Sequence, residues 1–333
     1  MLNIPKIKGK IKHSSIAVLT SGGDAPGMNA AIRAVVRYTC SHDCQVYGIL
    51  RGYSGLLEKE FVPLGLSSVA NIIQRGGTIL KTDRCEAFYK KSVRKEAANI
   101  LRSRGIGGLV VIGGDGSFTG AHLMEQETGF PLIGIPGTID NDIAETDDTI
   151  GFDTAVNTAI DAIDRIRDTA SSHNRTFLVE VMGRSSGFIA LQVGMGGGAE
   201  TIIVPEKKQT IDQISSTIER GMKRGKSSSI IVVAEGPKPG LSYHLAQDLT
   251  QRGYNCKVCI LGHTQRGGSP TTHDRVLAST LGASAVAYLL SGKSNAMVGI
   301  VNNEIALIPF HRVIGKRKKI STDLFQLSQI LSS

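Results

Sequence analysis

The chain reads as a doubly wound α/β protein, built as two domains with mostly parallel sheets. Three observations predict this. Apolar runs of strand length recur along the chain and alternate with segments of helical period. The runs are apolar nearly throughout, as strands covered by helices on both faces must be. Several of them end in glycine-rich loops that open a helix, and in doubly wound sheets ligands bind outside the strand carboxyl ends.

The expected strands are 16–20, 46–49, 109–112, 132–135, 177–181, 201–204, 230–233 and 258–261. Between them, helical period is plainest at Phe152, Ala155, Val156, Ala159, Ile160, Ile163 and Ile166, an i, i+3, i+4, i+7 stripe. No repeat of 20–50 residues and no low-complexity linker interrupts the pattern. Thr149-Ile150-Gly151, just before the long helix, is the expected boundary between two domains, which suits a length of 333 residues.

Composition narrows the function classes. A hydrophobic share of 41% against 20% charged residues belongs to a soluble globular chain. No apolar segment approaches the roughly 18 residues of a membrane span. The first 12 residues carry charge without an apolar core, so no secretory signal is expected. Five cysteines, an odd number without scaffold spacing, point to a reducing, cytoplasmic setting. Cys256 and Cys259 stand three apart on an expected strand, where thiols diverge to opposite faces and no zinc set forms. The net charge of +9 is scattered apart from Lys316-Arg317-Lys318-Lys319, and tryptophan is absent, so no nucleic-acid partner is expected. Pockets for anionic small molecules account for the charge better.

The chemistry sits in the loops. Gly113-Gly114-Asp115-Gly116-Ser117 follows a buried strand and opens a helix, the layout of a phosphate site. Asp115 is there as a Mg²⁺ contact, because hard cations take carboxylate and phosphate oxygen together. Gly22-Gly23 offers a second glycine loop, with Asp24 and Pro26 leading into a helix around Asn29. Pro136-Gly137-Thr138-Ile139-Asp140-Asn141-Asp142 places two carboxylates two residues apart, one to take a hydroxyl proton and one to orient its neighbours. Val181-Met182-Gly183-Arg184 ends a strand with a guanidinium, and the 261–270 loop holds His263 and Arg266. Arg175, Arg184, Lys257 and Arg266 lie at or near strand ends, as recognition of a phosphorylated substrate requires. Together these features describe a phosphoryl transferase working by positioning and charge neutralisation.

The segments SGGDAPGMNAAIR, VIGGDGS, PGTIDND, IGFDTA, SSHNR, EVMGR and LGHTQRGGSP, in this order and spacing, resemble the bacterial ATP-dependent 6-phosphofructokinases. The likeness covers most of residues 15–300. It implies two Rossmann-like domains with the active site in the cleft between them: 1–151 plus 264–314 for ATP, and 152–263 plus 315–333 for fructose 6-phosphate. By resemblance, Asp140 is the general base and Arg184 stabilises the transferring phosphoryl, with Asp142 and Thr138 in support. ATP would lie against Gly23, Tyr53, Arg84, Cys85, Gly116, Ser117 and Gly120, with Asp115 on Mg²⁺. The sugar phosphate would be held by Met182, Gly183, Arg184, Glu235, His263 and Arg266, joined by Arg175 and Lys257 of a neighbour in a homotetramer. Arg33, Arg37, Arg167, Glu200, Arg224 and Lys226 match an effector site for ADP or phosphoenolpyruvate.

Particular residues qualify the likeness. Relatives that use pyrophosphate carry Asp and Lys at the positions of Gly116 and Gly137, so the two glycines favour ATP. Lys257 stands where the family usually has Arg, which keeps the charge but not the bidentate contact. Lys81-Thr82-Asp83 adds bulk and charge before Arg84, and Leu66 takes a place that is commonly Arg in the effector site. Other readings explain less. A kinase sharing only the GGDG loop leaves PGTIDND and GHTQRGG without a role, and the fingerprint of a dehydrogenase is missing after the first strand. A silent phosphosugar or nucleotide sensor would have no use for Asp140.

Overall fold

The computed structural model describes residues 4–7, 11–171, 175–236 and 240–332. Along the chain run β1 (Ser15–Ser21), α1 (Met28–Cys40), β2 (Gln45–Ile49), α2 (Gly52–Leu57), β3 (Phe61–Leu64), α3 (Lys91–Ser103), β4 (Gly108–Gly113), α4 (Asp115–Thr128) and β5 (Leu132–Pro136). Next come α5 (Phe152–Ser171), β6 (Thr176–Val181), α6 (Phe188–Gly196), β7 (Thr201–Ile203), α7 (Ile211–Lys223), β8 (Ser229–Ala234), α8 (Leu241–Gln251) and β9 (Cys256–Ile260). The chain closes with α9 (Thr272–Leu290), β10 (Ala296–Val301), β11 (Glu304–Pro309), α10 (Phe310–Val313) and α11 (Thr322–Leu331). Two compact units result: Met1–Thr138, Ile143–Asp153 and Arg266–Lys318 in the first, and Ile139–Asp142, Thr154–Gln265 and Lys319–Ser333 in the second. Ser172, His173 and Asn174, part of one resembling segment, lie outside the described residues.

The first unit is a seven-stranded sheet ordered β11-β10-β5-β4-β1-β2-β3. Its five inner strands are parallel, while β3 and β11 pair antiparallel at the edges. β1 and β4 are buried at every position, which is why their centres, 16–19 and 109–112, are apolar without alternation. Leu19, Leu109, Val111, Phe118, Leu132 and Phe310 belong to one apolar core under α3 and α4.

In the second unit four parallel strands are ordered β7-β8-β6-β9. Leu178, Ile231 and Val233 pack with Ile214 and Ile218 of α7 and Leu249 of α8. The long apolar stripe after residue 151 is realised as α5, and Cys256 and Cys259 both lie on β9 with Cys256 against that core. Among the described residues, no helix is long and apolar enough to cross a membrane.

Three strands, β3, β10 and β11, escape the series expected from sequence. β3 is short, contains Pro63 and is only part-buried, so it never shows a continuous apolar run. β10 and β11 form a hairpin whose two turn residues, Asn302 and Asn303, both take positive φ. That Asn-Asn pair between apolar stretches was a legible hairpin signal.

Candidate active site

Strand order decides where ligands bind. In the first sheet the chain moves from β1 to β2 on one side and returns to β4 on the other, so the direction reverses between β1 and β4. Their carboxyl ends, Ser21 and Gly113, lie opposite each other in the ladder. Both glycine loops leave from this point. Ser117 Oγ donates to the Ser21 carbonyl oxygen at 3.1 Å and so ties the start of α4 to the Gly22-Gly23 loop. The fit is tight: a Cβ on Gly113 would stand 2.6 Å from both Ser117 Oγ and the Ser21 carbonyl oxygen. Only glycine serves there.

Around this point the first unit gathers most of the nucleotide residues expected from sequence. Asp115 and Gly116 occupy the exposed first turn of α4, where helix N–H groups face outward. A Cβ on Gly116 meets nothing within 4 Å, so the space before the helix is open, whereas at Gly137 it would press on Ile112 at 3.0 Å and Met28 at 3.1 Å. Tyr53 is buried rather than presented to solvent. Its ring stacks on Phe88 at 3.9 Å, and its hydroxyl donates to the Ser117 carbonyl oxygen at 2.8 Å, with Gly120 fitting against the pair. Arg84 is exposed, with Cys85 beside it part-buried. The Lys81-Thr82-Asp83 segment is tethered to the same loops: Thr82 Oγ1 donates to the Gly22 carbonyl oxygen at 2.8 Å, and Thr20 Oγ1 to that of Lys81 at 2.6 Å.

Some supports went unread in the sequence. Asn29 is fully buried, and its amide bonds the backbone of Arg75, Gly77 and Ile79 at 2.7–2.9 Å, fixing the segment that leads to Arg84. Burial pushes the Asp24 carboxyl up, against the pull of the Thr78 and Ala25 N–H groups and Arg266. Arg266 belongs to this unit, where its guanidinium lies against Gly23 and donates to the Asp24 carbonyl oxygen at 3.1 Å.

In the second unit the direction reverses at β6, with β8 on one side and β9 on the other. Met182, Gly183 and Arg184 follow β6, Glu235 follows β8 and His263 follows β9, so all five cluster at carboxyl ends. The turn after β6 is unusual backbone: φ is +141° at Gly183 and +51° at Arg184. A Cβ on Gly183 would stand 2.6 Å from the Ser186 carbonyl oxygen. Glu235 Oε1 accepts the Arg184 N–H at 3.2 Å, and Ser186 Oγ reaches the carbonyl oxygens of Gly183 at 3.0 Å and Asp140 at 3.3 Å. Ser186 therefore ties the buried 140–141 turn to the Gly183-Arg184 turn, whose Arg184 is exposed.

Arg175 and Lys257 do not join this cluster. Arg175 precedes β6 and Lys257 is the second residue of β9, so both lie at amino ends. The six residues of β6 separate Arg175 from the Met182 end, on the order of 20 Å.

The residues expected to bind an effector divide between the units. Arg33 and Arg37 are on α1, with Leu66 exposed in the same unit. In the second unit Arg167 donates to the Gly198 carbonyl oxygen at 3.0 Å, and Lys226 pairs with the buried Glu200 at 3.2 Å near Arg224 at the end of α7.

Known proteins resemble this chain over most of its length. A family model described as phosphofructokinase matches residues 15–289. The ATP-dependent 6-phosphofructokinase 1 of Thermus thermophilus is 55% identical over 318 residues, covering 95% of this chain and 99% of that protein. The ATP-dependent 6-phosphofructokinase of Halalkalibacterium halodurans is similar to the same extent. Among solved structures, phosphofructokinase from Saccharomyces cerevisiae has a TM-score of 0.83 at 33% identity, over 90% of this chain and 44% of that longer one. This chain thus spans less than half of the yeast chain. The pyrophosphate-dependent enzyme of Marinobacter aquaeolei, at a TM-score of 0.83 but 23% identity, shares the fold.

Proposed function

The chain belongs to the phosphofructokinase family, and from that premise we propose how its residues perform the reaction. The activity is ATP-dependent 6-phosphofructokinase: the γ-phosphoryl of ATP passes to the C1 hydroxyl of fructose 6-phosphate, giving fructose 1,6-bisphosphate and ADP. One observation carries the assignment of roles, the Ser186 bridge that sets the Asp140 turn against the Gly183-Arg184 turn. Asp140 takes the proton as the C1 oxygen attacks, and Arg184 meets the charge on the moving phosphoryl group. Asp142 and Thr138 hold the turn that presents Asp140.

Gly23, Gly116 and Ser117 line the phosphates at the β1/β4 reversal, with Arg84, Cys85 and Gly120 toward the nucleoside and the buried Tyr53 backing them through Phe88 and the Ser117 carbonyl. Among the described residues no three His, Cys, Asp or Glu side chains form a metal cluster. The exposed Asp115 fits Mg²⁺ that arrives with the nucleotide, since this ion takes one or two carboxylates and fills its shell with phosphate and water. When bound, the ion neutralises phosphate charge.

Met182, Gly183, Arg184, Glu235, His263 and Arg266 hold fructose 6-phosphate, and Arg175 and Lys257 serve the site of a neighbouring copy in a homotetramer. Arg33, Arg37, Arg167, Glu200, Arg224 and Lys226 form the site for ADP or phosphoenolpyruvate. The setting is the cytoplasm.

A coupled assay with ATP or pyrophosphate as donor, run beside Asp140→Ser, tests the reading. Turnover with ATP alone is expected, and loss of the base costs on the order of 10²–10⁴-fold while binding persists. Equal rates for the two proteins, or efficient use of pyrophosphate, refute it.

A further inference from the structure

We infer that Gln265 is a positioning residue for the sugar-phosphate half of the site, an inference that rests on the phosphofructokinase reading above. It stands between His263 and Arg266 in the 261–270 loop, and neither the motif nor the reaction gives it a task. The structure sets it apart from both neighbours: His263 is exposed and Arg266 half-buried, whereas Gln265 is fully buried. Its Oε1 accepts the Met182 N–H at 2.8 Å, and its Nε2 donates to the Ala155 carbonyl oxygen at 3.2 Å. One amide thus joins the end of β6, the turn after β9 and the start of α5.

The bond to Met182 falls where it matters. β6 pairs with β8 only as far as Val181, so the next N–H loses its place in that ladder. A buried N–H without a partner costs about 1–3 kcal/mol. Immediately after it the backbone enters positive φ at Gly183 and Arg184, a conformation that persists only when its surroundings over-determine it. The bonds that do so are the Met182 N–H to Gln265, the Ser186 N–H to the Gly183 carbonyl oxygen at 2.9 Å, and the Arg184 N–H to Glu235. The Met182 bond to Gln265 is the first of these as the chain enters the turn, and Gln265 also lies in the turn that carries His263.

The chemistry requires an amide. Glutamate keeps an acceptor for Met182 but sets a second oxygen against the Ala155 carbonyl. Leucine loses both bonds and leaves the Met182 N–H without a partner, while the Ala155 carbonyl keeps only its place in α5. The nucleotide loops of the first unit lose no bond in either case.

The test is steady-state kinetics on Gln265→Leu and Gln265→Glu, with circular dichroism to confirm folding and the wild type in the same assay. The Michaelis constant for fructose 6-phosphate should rise about 10-fold or more in Gln265→Leu. Gln265→Glu should fall between that variant and wild type, and the constant for ATP should stay where it is in both. Equal losses for the two substrates, or an unmoved fructose 6-phosphate constant in folded variants, overturn the inference. So does failure of both variants to fold, which would make Gln265 a residue of the fold alone. A wild type that does not phosphorylate fructose 6-phosphate would sink the parent reading instead, so the two failures are distinct.

Discussion

Glu125, on the last turns of α4 and remote from any proposed ligand, carries a prediction about stability. Burial is the largest influence on its carboxyl and pushes it from 4.5 up to about 7, against hydrogen bonds from the Ser294 hydroxyl and the backbone at Asn295 and Leu132. The folded state thus holds the proton more tightly than the unfolded chain does. The stability this group contributes is fully present below about pH 4.5 and is lost as pH rises through about 7. A shift of that size corresponds to roughly 3 kcal/mol, and partial solvation of the side chain lowers the expectation to about 1–2 kcal/mol. Glu125→Gln keeps an acceptor for Ser294 and removes the titration. Urea unfolding midpoints of wild type and variant should therefore diverge between pH 5 and pH 8, with the variant gaining as pH rises. The comparison cancels every other titrating group. A gap between the two proteins that is the same at pH 5 and pH 8 would refute the reasoning.

Gly183→Ala forces a Cβ onto a backbone at φ +141° and within 2.6 Å of the Ser186 carbonyl oxygen; kcat/KM for fructose 6-phosphate should drop on the order of 10²-fold, and an unchanged value would show that the turn tolerates another shape. Arg175→Ala and Asp140→Ser chains, each inactive alone, should regain roughly a quarter of wild-type sites when co-expressed, since half of random pairs are mixed and each mixed pair rebuilds one of its two sites. No recovery would place Arg175 outside a shared site.

Most of the framework was legible because buried parallel strands write themselves as apolar runs, and those from 16–20 to 258–261 reappear within a few residues as β1, β2 and β4–β9. The edges were harder. β3 and β11 are part-exposed, and exposure dilutes the run that a two-sided strand must have. The loops that would hold ligands were readable from glycine and carboxylate spacing. Their supports were not. Asn29 reaches across 46–50 residues, Gln265 across 83 and 110, and Ser186 across 46, and no local period records such partners.

Strand polarity adds what spacing alone conceals. Arg175 and Arg184 both flank β6, and in sequence both read simply as cations near a strand end. A parallel strand has two unlike ends, and the reversals of strand order make only the carboxyl end a binding edge in each sheet. Arg184 sits there, on a turn built from Gln265, Ser186 and Glu235. Arg175 sits about 20 Å away at the amino end, and Lys257 shares that end one strand over. A single copy cannot bring both cations to one phosphate without dismantling β6, whose ladder to β8 runs from Thr176 through Val181. The proposed joint use of these cations in phosphosugar binding therefore stands only with a second copy of the chain, and the polarity of β6 gives that proposal a physical reason beyond the family resemblance.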